Sequence, residues 1–300
     1  MKQQRPTILV TGSKGQVGHE LQALSQGHPL FDFIFVDIEE LDIANERAVQ
    51  VFFSENPVQY CVNCAAYTSV DKAEEETSLA WKVNSVGPAN LSKACAVHKA
   101  SLVQISTDYV YHTQKHLPFI ETDTTNPQGV YAKTKLEGDD AAMKNHPTGT
   151  QIIRTSWVYS TYGNNFVKTM LRLAAQRPEL GVVFDQIGTP TYARDLAAAI
   201  LAILQKVEKK EVDRHKFSGI YHYSNEGVTS WYDFAVAIFE LAGMAVKVRP
   251  IETKDYPTPA KRPAYSVLNK NKIKTTFGLE IPHWRESLKE CLEVLASNRT

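Results

Sequence analysis

The chain has 300 residues, of which 43% are hydrophobic and 22% are charged; these are values of a globular protein long enough to bury a large core. Lys and Arg together number 33, as do Asp and Glu, and this zero net charge argues against a nucleic-acid or membrane-surface protein. The N-terminus has no signal-peptide pattern and no apolar run reaches the ~18 residues of a membrane span, so we expect a cytoplasmic protein.

Strand and helix signals alternate through the first half of the chain. Strands are predicted at 7–10, 31–36, 60–66, 102–106 and 151–158. Helices are predicted between them at 17–24, 46–53, 73–98 and 131–144, with Gly87-Pro88 as a break in the third. This alternation predicts an α/β fold with a doubly wound, parallel, Rossmann-type sheet.

The second half is less regular. Helices are predicted at 165–176, 194–206, 230–241 and 284–295, and a strand at 219–223. Thr229 or Ser230 is expected to cap the third of these helices. We predict a dinucleotide-binding domain of residues 1–160, joined by 192–223, and a smaller C-terminal substrate-binding domain of residues 161–191 and 224–300. This boundary is soft, because later segments can return to the first sheet.

The four cysteines are Cys61, Cys64, Cys95 and Cys291. The first two form a CxxC spacing, which is found in redox and zinc sites. No second CxxC supplies further zinc ligands, and a redox CxxC begins a helix. Because this one lies in an apolar strand segment, we expect buried, inert cysteines.

A glycine-rich turn directly follows the first predicted strand. The segment Thr11-Gly-Ser-Lys-Gly-Gln-Val-Gly18 has the spacing GxxGxxG, which lets the backbone approach a pyrophosphate at the start of the next helix. In this position the motif predicts a dinucleotide site. The predicted contacts from the loop are Gly12, Lys14, Gly15, Gln16, Val17 and Gly18.

Further cofactor contacts are expected where the second and third strands end. Asp37 is placed to bind the adenosine ribose and to repel a 2′-phosphate, which favours NADH. Lys14 would neutralise that phosphate, so NADPH stays an alternative. The remaining predicted contacts flank the adenine or end the third strand, and they are Asp42, Ile43, Cys64, Ala65 and Ala66.

The strongest chemical pattern is the strand-end pair Ser106-Thr107 followed by Tyr131-Ala-Lys-Thr-Lys135. Tyr131 and Lys135 are four residues apart, so a helix places them on one face. The Lys135 ammonium is expected to lower the pKa of Tyr131 from about 10, which lets the phenol exchange a proton with a carbonyl or alcohol. Thr107 is expected to bind the same oxygen, and Lys135 also the nicotinamide ribose. With the glycine loop, these residues predict an NAD(P)-dependent oxidoreductase.

Seven segments resemble the extended short-chain dehydrogenase/reductase family and, within it, the dTDP-4-dehydrorhamnose reductase family. They are Gly15-Gln-Val-Gly18, Val70-Asp-Lys-Ala-Glu74, Ser106-Thr-Asp-Tyr-Val110, Arg154-Thr-Ser-Trp-Val-Tyr159, Gly163-Asn-Asn-Phe166, Asp185-Gln-Ile-Gly-Thr-Pro190 and Tyr256-Pro-Thr-Pro-Ala-Lys-Arg-Pro263. The resemblance runs from about residue 7 to residue 290. It implies NAD(P)H-dependent reduction of the 4-keto group of dTDP-4-dehydro-L-rhamnose, a step toward surface polysaccharide.

The resemblance also implies contacts with a dTDP-linked deoxy-sugar. Trp157 is expected to stack on the sugar ring, with core packing as the alternative. Arg262, in a proline-stiffened loop, is expected to bind the diphosphate, with a plain surface position as the alternative. The other expected substrate contacts are Thr68, Val70, Thr107, Asp108, Asn165, Lys168 and Gln186.

Some members of the resembled family hold magnesium with carboxylates at a dimer interface. Glu20 matches one such position, but Arg194 stands in the place of a second carboxylate. We therefore predict no metal site, and a monomer and a homodimer are both left open.

Two other functions share these patterns. A sugar-nucleotide epimerase or dehydratase keeps the same fold, but Tyr109 stands where such dehydratases usually carry a glutamate. A non-catalytic regulatory subunit, similar to the β subunit of methionine adenosyltransferase, is disfavoured by the intact set of Thr107, Tyr131 and Lys135.

Overall fold

The computed structural model describes residues 5–113 and 115–297. The strands in these residues are β1 Thr7–Thr11, β2 Asp32–Val36, β3 Val58–Asn63, β4 Ser101–Thr107, β5 Thr150–Thr155, β6 Val158–Tyr159, β7 Glu179–Val183, β8 Ile187–Gly188, β9 Thr191–Tyr192, β10 Gly219–His222, β11 Thr229–Ser230 and β12 Lys247–Ile251. The α-helices are α1 Gln16–Ser25, α2 Glu46–Glu55, α3 Val70–Ala73, α4 Thr77–Trp81, α5 Gly87–His98, α6 Gly129–Asn145, α7 Phe166–Ala174, α8 Ala193–Glu208, α9 Trp231–Leu241, α10 Asn271–Phe277 and α11 Trp284–Ser297.

Six strands form one parallel sheet in the order β10-β5-β4-β3-β1-β2. Helices α1 and α8 pack on one face, and α2, α5 and α6 pack on the other. The predicted doubly wound α/β fold is therefore confirmed. The strand order reverses between β1 and β3, and ligands bind at such a switch point beyond the carboxyl ends of the strands.

Neighbouring residues of the central strands serve opposite layers. Ile8 and Val10 pack with α1 and α8, whereas Leu9 packs with α2 and α5. All three side chains are fully buried. Burial on both faces explains why these strands are continuous apolar runs in the sequence.

The second half adds a separate apolar cluster around α7, α9 and α11. Beside it β7 and β12 pair in parallel, and the sequence predicted neither strand. β12 reads Lys-Val-Arg-Pro-Ile, and its charges and proline hide it from a search for apolar runs. β10 joins the main sheet beside β5, and the division into two domains stays a prediction.

Three predicted elements differ from those observed. The strand expected at 60–66 ends at Asn63. The helix expected at 73–98 breaks at 74–76 and later passes through a π-helical turn, Lys82–Val86, that runs on into α5 just before Pro88. Proline lacks the N–H that a regular helix bonds, and the ladder is locally rearranged there. The strand expected to reach Val158 ends at Thr155, because Trp157 turns the chain with a φ of 49°.

The cysteines are free thiols, with Cys61, Cys95 and Cys291 buried and Cys64 half-buried. Burial raises the pKa of the Cys64 and Cys291 thiols, as expected for unreactive cysteines. Within residues 5–113 and 115–297, no helix is long and apolar enough to cross a membrane.

Candidate active site

The glycine loop after β1 lies against the end of β3. Gly12 has a φ of 63°, and a Cβ placed on it would lie 2.5 Å from the backbone nitrogen of Ala65. A Cβ on Gly18 would lie 2.5 Å from the carbonyl oxygen of Gly12. Only glycine permits both approaches, so the loop closes tightly over the switch point and opens α1 directly above it.

A cavity of 450 Å³ lies beside this loop. The predicted cofactor contacts that line it are Gly12, Lys14, Gly15, Asp37, Asp42, Ile43, Cys64, Ala65 and Ala66. Its wall also contains Ile38 and Leu79, which the sequence reading missed and which are 62% and 46% exposed. A glycine cradle joined to an apolar wall fits the pyrophosphate and adenine of a dinucleotide.

Carboxylates dominate the ribose end of this cavity. The two oxygens of Asp37 accept hydrogen bonds from the backbone nitrogens of Lys14 and Ile38, each at 2.9 Å. Lys14 Nζ forms an exposed ion pair with Glu39 at 2.9 Å, and Glu40 accepts a bond from the Asp37 nitrogen. Lys14, the cation expected to neutralise a 2′-phosphate, is therefore already paired with Glu39.

Tyr131 and Lys135, the predicted proton-transfer pair, lie on α6 and face the end of β4. Lys135 Nζ donates to the Ile105 carbonyl oxygen at 2.7 Å, and Thr107 is a hydrogen-bonding neighbour of Tyr131. Ile105 and Thr107 both belong to the last three residues of β4. The side chains of Tyr131 and Lys135 thus meet one strand end, as their spacing predicts.

The pKa of Tyr131 differs from the expectation. Burial raises it to about 12, and the hydrogen bond with Thr107 opposes that rise only in part. Burial also lowers the pKa of Lys135, whose ammonium is directed to the Ile105 carbonyl. The expected lowering of the Tyr131 pKa is therefore wrong for the chain alone, because residue spacing carries no information about burial.

Asp108 lies directly behind Thr107. It is 2% exposed, and its Oδ1 accepts a hydrogen bond from the Thr107 hydroxyl at 3.1 Å. Burial raises its pKa to about 7, and hydrogen bonds with Ser266 and Thr107 oppose that rise. Asp108, a predicted substrate contact, is therefore enclosed by protein. Its hydrogen bond orients the Thr107 hydroxyl.

A second cavity, of 590 Å³, lies between α7 and the β7–β12 pair. Of the predicted substrate contacts, Gln186 and Arg262 line it. Trp231 of α9 also lines it, and the ring of Trp157 stacks on Trp231 with centroids 3.6 Å apart. The alternative prediction for Trp157, core packing, therefore holds for the face of its ring that stacks on Trp231. Tyr256 and Thr258 complete this wall, and only their place in the Pro-rich motif pointed to them.

Several other predicted contacts have structural partners. Asn165 caps α7 by accepting from the Lys168 nitrogen at 3.1 Å, and its amide donates to the Ser160 carbonyl and the Gln16 side chain. Lys168 Nζ donates to the Thr161 carbonyl at 3.2 Å. Capping is a common role for asparagine, so the structure gives these side chains a purely local explanation.

Other predicted positions are more open. Thr68 is exposed and Val70 half-exposed at the start of α3. Val17 is buried in α1, and the side chain of Gln16 is used by Asn165. A ligand in the 450 Å³ cavity would meet the backbone of this first helical turn.

The position considered for magnesium holds an arginine instead. Arg194 lies 3.7 Å from the buried Glu20 and 3.5 Å from Glu290 of α11. Among the described residues, no group of three or more His, Cys, Asp or Glu side chains comes together. A divalent cation does not fit here, because a guanidinium already lies between the two carboxylates.

Neighbours of Tyr131 and Lys135 relate this pair to both cavities. The charge of Lys135 acts on Cys64, which lines the 450 Å³ cavity. The Tyr109 ring lies edge-on to Tyr131 at 5.7 Å, and the charge of Arg262, which lines the 590 Å³ cavity, acts on Tyr109. Tyr131 and Lys135 themselves are not among the residues that line the two cavities.

Comparison with known proteins extends over nearly the full length. The RmlD substrate binding domain family matches residues 6–297. The dTDP-4-dehydrorhamnose reductase of Aggregatibacter actinomycetemcomitans is 43% identical over 94% of this chain and 97% of its own length.

Solved structures agree. A dTDP-4-dehydrorhamnose reductase from Clostridium acetobutylicum is 45% identical, with a TM-score of 0.90 over 97% of this chain and 99% of that one. The Bacillus anthracis enzyme of the same name, solved in complex with NADP, is 37% identical, with a TM-score of 0.90 over 97% and 100%. Matches of this length and identity show that the chain belongs to the RmlD substrate binding domain family, the family of the dTDP-4-dehydrorhamnose reductases.

Proposed function

We propose that this chain reduces the 4-keto group of dTDP-4-dehydro-L-rhamnose to give dTDP-L-rhamnose, a precursor of surface polysaccharide. The observation that carries the proposal is the contact of Lys135, one helical turn from Tyr131, with the carboxyl end of β4, at the sheet edge where the glycine loop and its cavity fit a dinucleotide. The chain is an NADPH- or NADH-dependent oxidoreductase, and the bound cofactor supplies the hydride. Relatives named for this reaction support the choice of substrate.

Tyr131 is the proton donor in this proposal. A phenol with a pKa near 12 is fully protonated at neutral pH, so it holds the proton that the developing alkoxide at O4 needs. In the substrate complex the Thr107 hydroxyl turns from Asp108 to donate to the same oxygen and fixes its position. Lys135 stabilises the phenolate that remains, because its ammonium lies one helical turn away in a dry interior.

The nucleotide end of the substrate occupies the 590 Å³ cavity. Arg262 offers a planar guanidinium suited to a diphosphate, and Gln186 donates and accepts at the same wall. Trp157 closes the sugar end, with its inner face supported by Trp231. These roles agree with an enzyme of the cytoplasm, the compartment where nucleotide-linked sugars are made.

The dehydratase alternative loses support at Tyr109. Its ring packs edge-on against Tyr131 and stands where such dehydratases usually carry a glutamate. The regulatory-subunit alternative loses support because Thr107, Tyr131 and Lys135 assemble at one strand end.

A coupled assay tests the function. dTDP-4-dehydro-L-rhamnose is generated in place, the protein is added with NADH or NADPH, and the loss of reduced-nicotinamide absorbance is followed. Stoichiometric formation of dTDP-L-rhamnose is expected. Absence of consumption with both cofactors, in a preparation that binds either of them, would refute the proposal.

A further inference from the structure

Behind the proton-transfer pair, α6 buries a second charged group. Asp139 lies one helical turn beyond Lys135, and the two residues are 1% and 2% exposed. It lines neither of the two ligand cavities. A buried carboxylate is costly unless other groups compensate its charge, so its partners indicate its role.

The partners of Asp139 come from β4 and β5. Ser106 donates to its Oδ2, and Arg154 Nε lies 3.9 Å from the same oxygen. Within the described part of the chain, Oδ1 has no hydrogen-bond partner. Lys135 and Arg154 are the two cations whose charges act on Asp139. The carboxylate is thus held by a single hydroxyl, with Arg154 Nε 3.9 Å away and Lys135 one helical turn back along α6.

Arg154 is also held by Tyr111. Its Nη1 donates to the Tyr111 hydroxyl at 2.6 Å, and its guanidinium lies 5.1 Å from the centre of the Tyr111 ring. Tyr111 in turn contacts His222 at 2.8 Å. These contacts fix Arg154 in place, so its charge and that of Lys135 both act on the carboxylate of Asp139.

We propose that Asp139 is a positioning residue for the reduction, one that keeps Lys135 charged beside Tyr131 by offsetting the charge of Arg154. The inference rests on the proposed function. The other titratable groups that face these residues are Cys64, Asp108 and Tyr109 toward the pair and Asp140 toward Asp139.

Loss of the Asp139 charge should shift the pH dependence of activity in one direction. A negative charge beside Tyr131 and Lys135 makes both groups hold their protons more tightly. Without it the coupled pair loses its first proton at lower pH. Because reduction needs the proton of Tyr131 and the charge of Lys135, activity then falls at lower pH on the alkaline side.

The test compares three variants over pH 6 to 10, roughly the range in which such a pair titrates. Asp139→Asn removes the charge, Ser106→Ala removes the hydrogen bond but keeps the charge, and Glu137→Gln removes an exposed charge from the same helix. We expect the alkaline limb of kcat/KM to move down by about one pH unit in Asp139→Asn and to stay in place in the other two. Affinity for NADH, measured by nicotinamide fluorescence, should fall at alkaline pH in Asp139→Asn alone.

Two results would overturn the inference. One is an unmoved limb and unchanged NADH affinity in an Asp139→Asn protein whose thermal unfolding shows that it is folded. The other is an equal shift in Ser106→Ala, which would assign the effect to the hydrogen bond. If the wild type lacks activity, the proposed function fails by itself, and the pH dependence of NADH affinity still decides the role of Asp139.

Discussion

Asp71 holds Arg262 through two parallel hydrogen bonds, at 2.7 and 3.1 Å. Asp71 belongs to α3 beside the main sheet, whereas Arg262 belongs to the proline-rich loop of the second half, so the pair ties these two parts of the chain together. The hydrogen bonds with Arg262 lower the pKa of Asp71. The group expected to bind the diphosphate thus already has a carboxylate partner.

This pair predicts opposite effects for its two members. Arg262→Lys loses the planar fork, so KM for the dTDP-sugar should rise by about tenfold with a smaller change in kcat. Asp71→Asn frees the guanidinium for the diphosphate, so KM should stay level or fall. Steady-state kinetics of both variants checks this. An equal rise of KM in both would mean that the pair only supports the loop.

Asp37 predicts cofactor choice. Asp37→Asn removes the charge that repels a 2′-phosphate and keeps one of the two oxygens that accept from the Lys14 and Ile38 nitrogens. The ratio of the Kd values for NADPH and NADH should therefore fall by about tenfold, equivalent to ~1.4 kcal/mol. Fluorescence titration with each cofactor measures it, and Asp42→Asn, in the same cavity, is the matched control. An unchanged ratio in Asp37→Asn would contradict this assignment.

His222 predicts how stability depends on pH. Its Nε2 lies 2.8 Å from the Tyr111 hydroxyl, and burial, aided by the charge of Arg154, lowers its pKa to about 3. The unfolded chain binds this proton near pH 6.5, so between those values stability falls as the pH falls, by up to about 1.4 kcal/mol per pH unit.

The variant His222→Gln should be less stable at pH 7 but lose stability less steeply toward pH 5. Urea unfolding at several pH values measures both slopes. His116→Gln, at an exposed histidine, should follow the wild type. Parallel curves for His222→Gln and the wild type would show that this proton is not linked to folding.

The sequence predicts the first half of the fold well because strands buried on both faces are apolar throughout, and because glycine at Gly12 and Gly18 is required by contacts that leave no room for a Cβ. It misses β7 and β12, although they line the 590 Å³ cavity. Both are edge strands of a two-stranded sheet, a position that permits charged residues and a proline, so local patterns carry no strand signal there.

The chemistry of the site, like the fold, is predicted only in part from the sequence. The shared face of Tyr131 and Lys135 follows from helical spacing alone. The direction of the Tyr131 pKa depends on how much protein surrounds it, and the partnership of Asp71 with Arg262 joins residues 191 positions apart. Neither is encoded in a short segment. Asn165 lies in a motif typical of ligand contacts, yet its side chain caps α7.

Turnover by Tyr131→Phe is the most direct measurement on the proton donor. The substitution keeps the ring that packs against Tyr109 and removes only the hydroxyl. We expect kcat for dTDP-4-dehydro-L-rhamnose to fall by a factor on the order of 10³, while the Kd for NADH stays close to that of the wild type. A variant that retains kcat within about threefold of the wild type, well short of the usual contribution of a general acid, would contradict the role of Tyr131.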